Sequence, residues 1–201
     1  MITAETNIKT NIKNELLALP SSLHRIVLTG FMGAGKTTVG RLLAERLGWT
    51  FLDLDTHLES RAGASIPEIF AREGEDRFRH LESTALASAL AAHSTVLALG
   101  GGTPEILTNR LLLEQTPGTL TVFLDAPFPV LFDRCMLEEL DPIHNPGQAR
   151  PVLADPTAAE ARFLKRLPLY RRLARITLDT AALTPPAAVD ALLRALNQQQ
   201  R

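Results

Sequence analysis

The stretch that most constrains this chain is TGFMGAGKTTVG, Thr29 to Gly40. It follows the apolar run Ile26-Val27-Leu28 and leads into Arg41-Leu42-Leu43-Ala44-Glu45-Arg46-Leu47. Gly30, Gly35, Lys36 and Thr37 fill the spacing G-x-x-x-x-G-K-[ST]. Glycines at such positions let backbone N–H groups turn inward around a phosphate without side-chain clashes. A helix that begins there adds the positive end of its dipole. Lys36 can reach the outer phosphates, and the Thr37 hydroxyl can ligate Mg²⁺. A glycine-rich turn that merely contains a lysine would not need an apolar strand before it and an amphipathic helix after it. The stretch predicts a nucleoside triphosphate site and leaves the phosphoryl acceptor open.

Bulk properties narrow the classes. A chain of 201 residues suits one domain with a substantial core. A formal net charge of −1 gives no general attraction to nucleic acid or an anionic membrane. No apolar run approaches the roughly 18 residues of a membrane span. The polar start, Thr3 to Lys13, lacks the apolar middle of a signal peptide. A lone cysteine, Cys135, excludes an internal disulfide, fits a reducing cytoplasm, and reads most simply as an inert thiol.

Taken in order, residues 1–23 read as an N-terminal extension and residues 24–201 as a single catalytic domain. His24 to Thr29 is the first strand. Gly35 to Leu47 is the first helix, with Gly48 as its C-cap. Trp49 to Leu54 is the second strand, running into Asp55. Residues two apart on a strand share a side, so Asp53 and Asp55 emerge together at its C-terminal end. Ligands bind at that edge of open α/β sheets. Aspartates also cap helices, and spacing alone does not separate the two roles.

A helix over Thr56 to Arg61 stops at Ala62-Gly63. Ser65 and Glu68 then form a capping box with Pro67 in the first turn. Gly74 interrupts, and Glu75 to Ala92 forms a longer helix on which Glu75, Arg79 and Glu82 share a face. Arg79 there fits ordinary helix ion pairing as well as a site. Ser94 to Leu99 is the third strand and meets Gly100-Gly101-Gly102, which permits close approach by a ligand. That strand lacks a terminal aspartate, so Asp53 is the candidate for water-mediated support of Mg²⁺.

Pro104 to Glu114 is helical, Gly118 to Leu124 is the fourth strand, and Pro127 to Leu140 is a helix carrying Arg134. Residues 138–156, rich in proline, read as a lid loop holding Arg150. Thr157 to Leu173 is a basic helix interrupted at Pro168. Its cationic residues, Arg166 among them, are mostly solvated or paired. Ile176 to Leu178 is the fifth strand and Pro185 to Leu196 the closing helix. Strands alternating with helices predict a parallel sheet with right-handed crossovers.

The segments GFMGAGKTTVGRLLA, FLDLD, SIPEIF, GEDRFRHLE, LALGGGT, ARPVL and KRLPLY together resemble a shikimate kinase, in family order, over about Arg25 to Leu196. The resemblance implies a three-layer α/β/α fold of the P-loop NTPase kind. Its central five-stranded parallel sheet would have order 2-3-1-4-5, with a mobile lid. The implied reaction is ATP-dependent phosphorylation of the 3-hydroxyl of shikimate, on the route to chorismate and aromatic amino acids.

By motif position, Gly33, Ala34, Gly35, Lys36, Thr37 and Thr38 would cradle ATP, with Lys36 on the transferred phosphoryl group. Thr37 would hold Mg²⁺ directly and Asp53 through water. Asp55 would bind the substrate hydroxyls and orient or deprotonate the attacking one. Arg79 and Arg166 would hold the carboxylate, and Gly101 with Gly102 would offer backbone. Arg150 would close on the phosphates and Arg134 would lie along the adenine. The expected partners are ATP and shikimate, with no nucleic acid or membrane, for a cytoplasmic monomer. The lid over Leu137 to Gln148 is longer than the family pattern, and is acidic and proline-rich. A gluconate or nucleotide kinase, and a catalytically silent nucleotide-binding module, are the competing readings. The triple glycine and paired arginines weigh against the first, and intact Lys36, Thr37, Asp53 and Asp55 against the second.

Overall fold

In the computed structural model, residues 19–139 and 155–198 are described. Five strands form one sheet: β1 (Arg25–Thr29), β2 (Thr50–Asp53), β3 (Thr95–Ala98), β4 (Thr119–Asp125) and β5 (Ile176–Asp179). All neighbours run parallel, in the order β2-β3-β1-β4-β5. Helices α1 (Lys36–Leu47), α2 (Leu54–Ala62), α3 (Ile66–Ala89), α4 (Leu107–Gln115), α5 (Phe128–Glu139), α6 (Pro156–Leu173) and α7 (Pro185–Gln198) connect and cover the strands. A short 3₁₀ turn, Thr103–Glu105, follows β3. Expected and observed sheet order agree.

The central strand shows why the sheet has two covered faces. All five residues of β1 are buried. Ile26 and Leu28 join a core with Val39, Leu43, Val189 and Leu192 from α1 and α7. Val27 points the other way, into a core with Leu58, Phe78, Leu86 and Leu113 from α2, α3 and α4. Alternation along one strand therefore feeds two apolar layers, which is why a buried parallel strand reads as a continuous apolar run. No helix among the described residues is long and apolar enough to cross a membrane.

Two local expectations change. β2 ends at Asp53, and Leu54 already belongs to α2. Asp55 thus lies in a first helical turn, not on a strand. Gly74 does interrupt α3 as expected, its non-helical φ 78°, ψ −179° placing a kink between two helical segments. Pro168 does not interrupt α6, which runs through it. A mid-helix proline frees the carbonyl four residues back. Here that residue is Leu164, on the exposed side of the helix where water can satisfy it.

Candidate active site

The first part of the site is the loop between β1 and α1. Gly33 has φ +73°, and a Cβ there would run into the Leu131 carbonyl oxygen and lie 2.9 Å from the Cys135 sulfur. Only glycine combines that backbone with that proximity. Gly35 ends the loop as the N-cap of α1, without a side-chain cap and with no acid in the first turn. The described N-termini of α2, α3 and α6 are capped by Asp53, Ser65 and Asp155. The N–H groups of α1 thus retain capacity for an outside anion. The Lys36 ammonium donates to the Gly30 and Phe31 carbonyls, at 2.9 Å each, and so bends back over the loop.

The second part is a pair of carboxylates. Asp53 Oδ1 accepts from the backbone N–H groups of Asp55 and Thr56, at 3.1 and 3.4 Å, and caps α2. Its Oδ2 accepts from the Thr37 hydroxyl at 3.0 Å. The cap thereby brings a second acidic oxygen to the start of α1. Asp55 projects into the same cleft. Burial raises its pKa from the ordinary 3.8 to about 6, helped by the charges of Asp53 and Glu82 and opposed by Lys36. A carboxyl tuned there can take up a proton near neutral pH.

The third part surrounds the glycines after β3. A Cβ on Gly100 would approach Asp55 Oδ1 to 2.9 Å. One on Gly102 would lie 2.9–3.1 Å from the two Arg79 Nη atoms and 3.0 Å from Arg166 Nη2. The turn therefore lets a carboxylate and two guanidinium groups crowd one short length of backbone. Arg79 donates to Glu82 at 3.0 Å and to Glu75 at 3.1 Å, so the expected helix pairing is present. Glu82, only 1% exposed, also accepts from the Thr103 hydroxyl at 2.7 Å. Arg79 is anchored on one side while its head reaches Gly102.

Two contributors were given no role from the sequence, although Tyr170 ends the KRLPLY segment. Glu105 Oε2 accepts from Arg166 Nε at 3.0 Å and Nη2 at 2.7 Å. The Tyr170 hydroxyl, whose pKa burial pushes up, donates to the Gly101 carbonyl at 2.6 Å. Both partners lie more than sixty residues away, at separations of 61 and 69.

These parts share one cleft of about 830 Å³, lined by Lys36, Thr37, Asp53, Asp55, Gly101 and Arg166 among others. A neighbouring hollow of about 240 Å³ adjoins Gly33, Ala34, Gly35 and Thr38. Arg134 lines it and donates to the Thr180 and Ala181 carbonyls at 2.6 and 3.2 Å. Arg150 and almost all of the expected lid lie outside the described residues, as does most of the expected N-terminal extension. Helix α5 runs to Glu139 and α6 starts at Pro156, so both ends of the 138–156 span are helical. No cluster of three or more His, Cys, Asp or Glu side chains suited to a metal occurs among the described residues.

A five-stranded parallel sheet with an uncapped phosphate loop facing a carboxylate and two arginines defines a phosphate-loop kinase of a small acceptor. Comparison with known proteins gives the family. The shikimate kinase family model matches residues 32–197. The chain is 40% identical over 177 residues to the shikimate kinase of Thermobifida fusca, covering 88% of this chain and 96% of that one. It is 42% identical over 155 residues to that of Moorella thermoacetica, covering 77% and 84%. The structure of shikimate kinase from Acinetobacter baumannii in complex with shikimate superposes with a TM-score of 0.72 at 34% identity, covering 93% and 96%. This chain belongs to the shikimate kinase family.

Proposed function

We infer that this protein transfers the terminal phosphoryl group of ATP to the 3-hydroxyl of shikimate. The observation that carries this reading is the convergence of Asp55, Arg79 and Arg166 on the glycine turn, opposite the phosphate loop. A small acid with hydroxyl groups needs guanidinium forks at one end and a proton acceptor at the other.

Backbone N–H groups of Gly33 to Thr38 hold the phosphates, with Lys36 following the migrating group. The smaller hollow beside Arg134 takes the adenine. Asp55 aligns the attacking hydroxyl and accepts its proton as the new P–O bond forms. Arg79 and Arg166 hold the carboxylate, with the Gly101 and Gly102 backbone alongside. Arg150, in the lid, closes on the phosphates and excludes water.

The Thr37 and Asp53 oxygens suit Mg²⁺, which takes hard oxygen donors, few of them from protein. Thr37 would hold the ion directly and Asp53 through water; when bound, Mg²⁺ neutralises charge on the phosphates. Phosphoryl transfer needs positioning and charge stabilisation more than covalent chemistry, and these residue types supply both. We propose further that residues 24–201 act as one domain, as a monomer, in the cytoplasm, a compartment in keeping with the single cysteine.

The test is an ADP-release assay over shikimate, gluconate, nucleoside monophosphates and other hydroxy acids. Turnover is expected on shikimate well above the rest. Equal or greater turnover on another acceptor, or tight ATP binding with none, would overturn the assignment.

A further inference from the structure

Glu105 ends the 3₁₀ turn that follows the glycines, and its two oxygens face different surroundings. Oε2 meets Arg166 at 2.7 Å and lies 4.0 Å from Arg79 Nη2. Oε1 lies 3.0 Å from the Lys165 ammonium, on a side chain that is 74% exposed. Burial raises the Glu105 pKa, but Lys165 and Arg166 outweigh it and leave the net below the usual carboxylate range. The group is therefore an anion at neutral pH. Arg79 also carries Glu75 and Glu82, and Glu82 is fixed from both sides by Thr103 and Arg79. Glu105 instead has one oxygen on the arginine pair and the other on a lysine at the solvent boundary.

We propose that Glu105 tunes the affinity of the acceptor site, its Oε2 acting as an internal carboxylate on the Arg79–Arg166 pair until the carboxylate of the substrate displaces it onto Lys165. This rests on the reading of Arg79 and Arg166 as the carboxylate holders. An acceptor that brings its own carboxylate replaces the one it displaces, and the arginines stay paired. An uncharged acceptor of the same shape has nothing to exchange and leaves Glu105 in place. The exchange lowers affinity for the true substrate, because only the fraction of molecules with the pair open binds it. In return it holds the arginines oriented and neutralised when the site is free of substrate.

Glu105→Gln keeps the shape and removes the charge. Its nucleotide-free affinity for shikimate, measured by calorimetry, is expected to rise roughly three- to tenfold, and KM to fall with it. The affinity of the shikimate carboxamide is expected to change by less than about twofold, because no charge is exchanged. Glu105→Ala repeats the measurement should the glutamine variant melt early. Unchanged or weaker shikimate binding in a folded variant would overturn the proposal and make Glu105 a simple support for Arg166. Arg166→Ala separates this from the underlying reading. If it retains full shikimate affinity, the carboxylate site itself is misplaced. If it loses affinity while Glu105→Gln gains none, displacement alone fails.

Discussion

Asp53 uses its two oxygens on two elements, one capping α2 and the other receiving the Thr37 hydroxyl. One side chain therefore both caps α2 and reaches the start of α1. Asp55 is different, because its pKa of about 6 lies above the ordinary 3.8. The sign follows from the direction. The fold favours the protonated form, so this contribution to stability is complete below pH 3.8 and is lost as pH rises towards 6. Above pH 6 the ionised carboxylate costs the ligand-free protein up to about 3 kcal/mol, at 1.36 kcal/mol per pKa unit. Asp55→Asn is thus expected to stabilise the free protein by about 1–3 kcal/mol at pH 8 but hardly at pH 4. It is also expected to lower kcat by about 10²–10⁴ while nucleotide binding persists. Urea unfolding at both pH values and steady-state kinetics would check this. Unchanged turnover would remove Asp55 from the chemistry, and equal stability at both pH values would remove the strain. Much of this was legible: two aspartates after an apolar strand pointed to a ligand edge. The reason differed, since a helical cap and not strand alternation brings them together. Glu105 and Tyr170 were not legible as partners, because a contact 61 or 69 residues away leaves no local period.

At the scale of elements, two glycine turns perform different work, and substitution separates them. Gly102 has φ −93°, ψ −10°, a backbone any residue adopts. Its missing side chain makes room for the heads of Arg79 and Arg166. Gly102→Ala is expected to raise KM for shikimate by about tenfold or more, with Tm nearly unchanged, because displaced guanidinium groups lose alignment rather than packing. Gly33 has φ +73° and sits against the Leu131 carbonyl. Gly33→Ala is expected to cost about 1–2 kcal/mol of backbone strain before any steric clash, and to abolish nucleotide binding. Thermal melts with nucleotide and shikimate titrations distinguish the two. A large Tm loss in Gly102→Ala would mean that its turn serves the fold instead. Most helix boundaries were readable because the caps are local, as with Ser65 and Glu68, which form the expected box. Pro168 misled, because tolerance of a proline depends on which face of the helix meets water.

Across the molecule, the sheet order puts β1 at the centre, with the phosphate loop at its end and β3, bearing the glycine turn, beside it. The alternation of strands and helices indicated a parallel sheet, but the order came from family resemblance, because no local pattern states which strands pair. The proposed acceptor side draws on α2, α3, the glycine turn and α6, through Asp55, Arg79, Gly102 and Arg166. The proposed nucleotide side draws on the loop after β1, on α1 and α5, and on the segment after β5. Residues so far apart in the chain meet only when it is folded, so each ligand binds the native state and not the unfolded one. At one hundred times its Kd a ligand then stabilises by about 2.7 kcal/mol, or roughly 5–10 °C in Tm for a domain of this size. Shikimate alone and ATP with Mg²⁺ alone are each expected to raise Tm by that order. Arg166→Ala is expected to lose the shikimate shift and keep the nucleotide shift. Loss of both would mean that the two halves of the cleft fold and bind as one unit. Retention of both would move the carboxylate site away from Arg166.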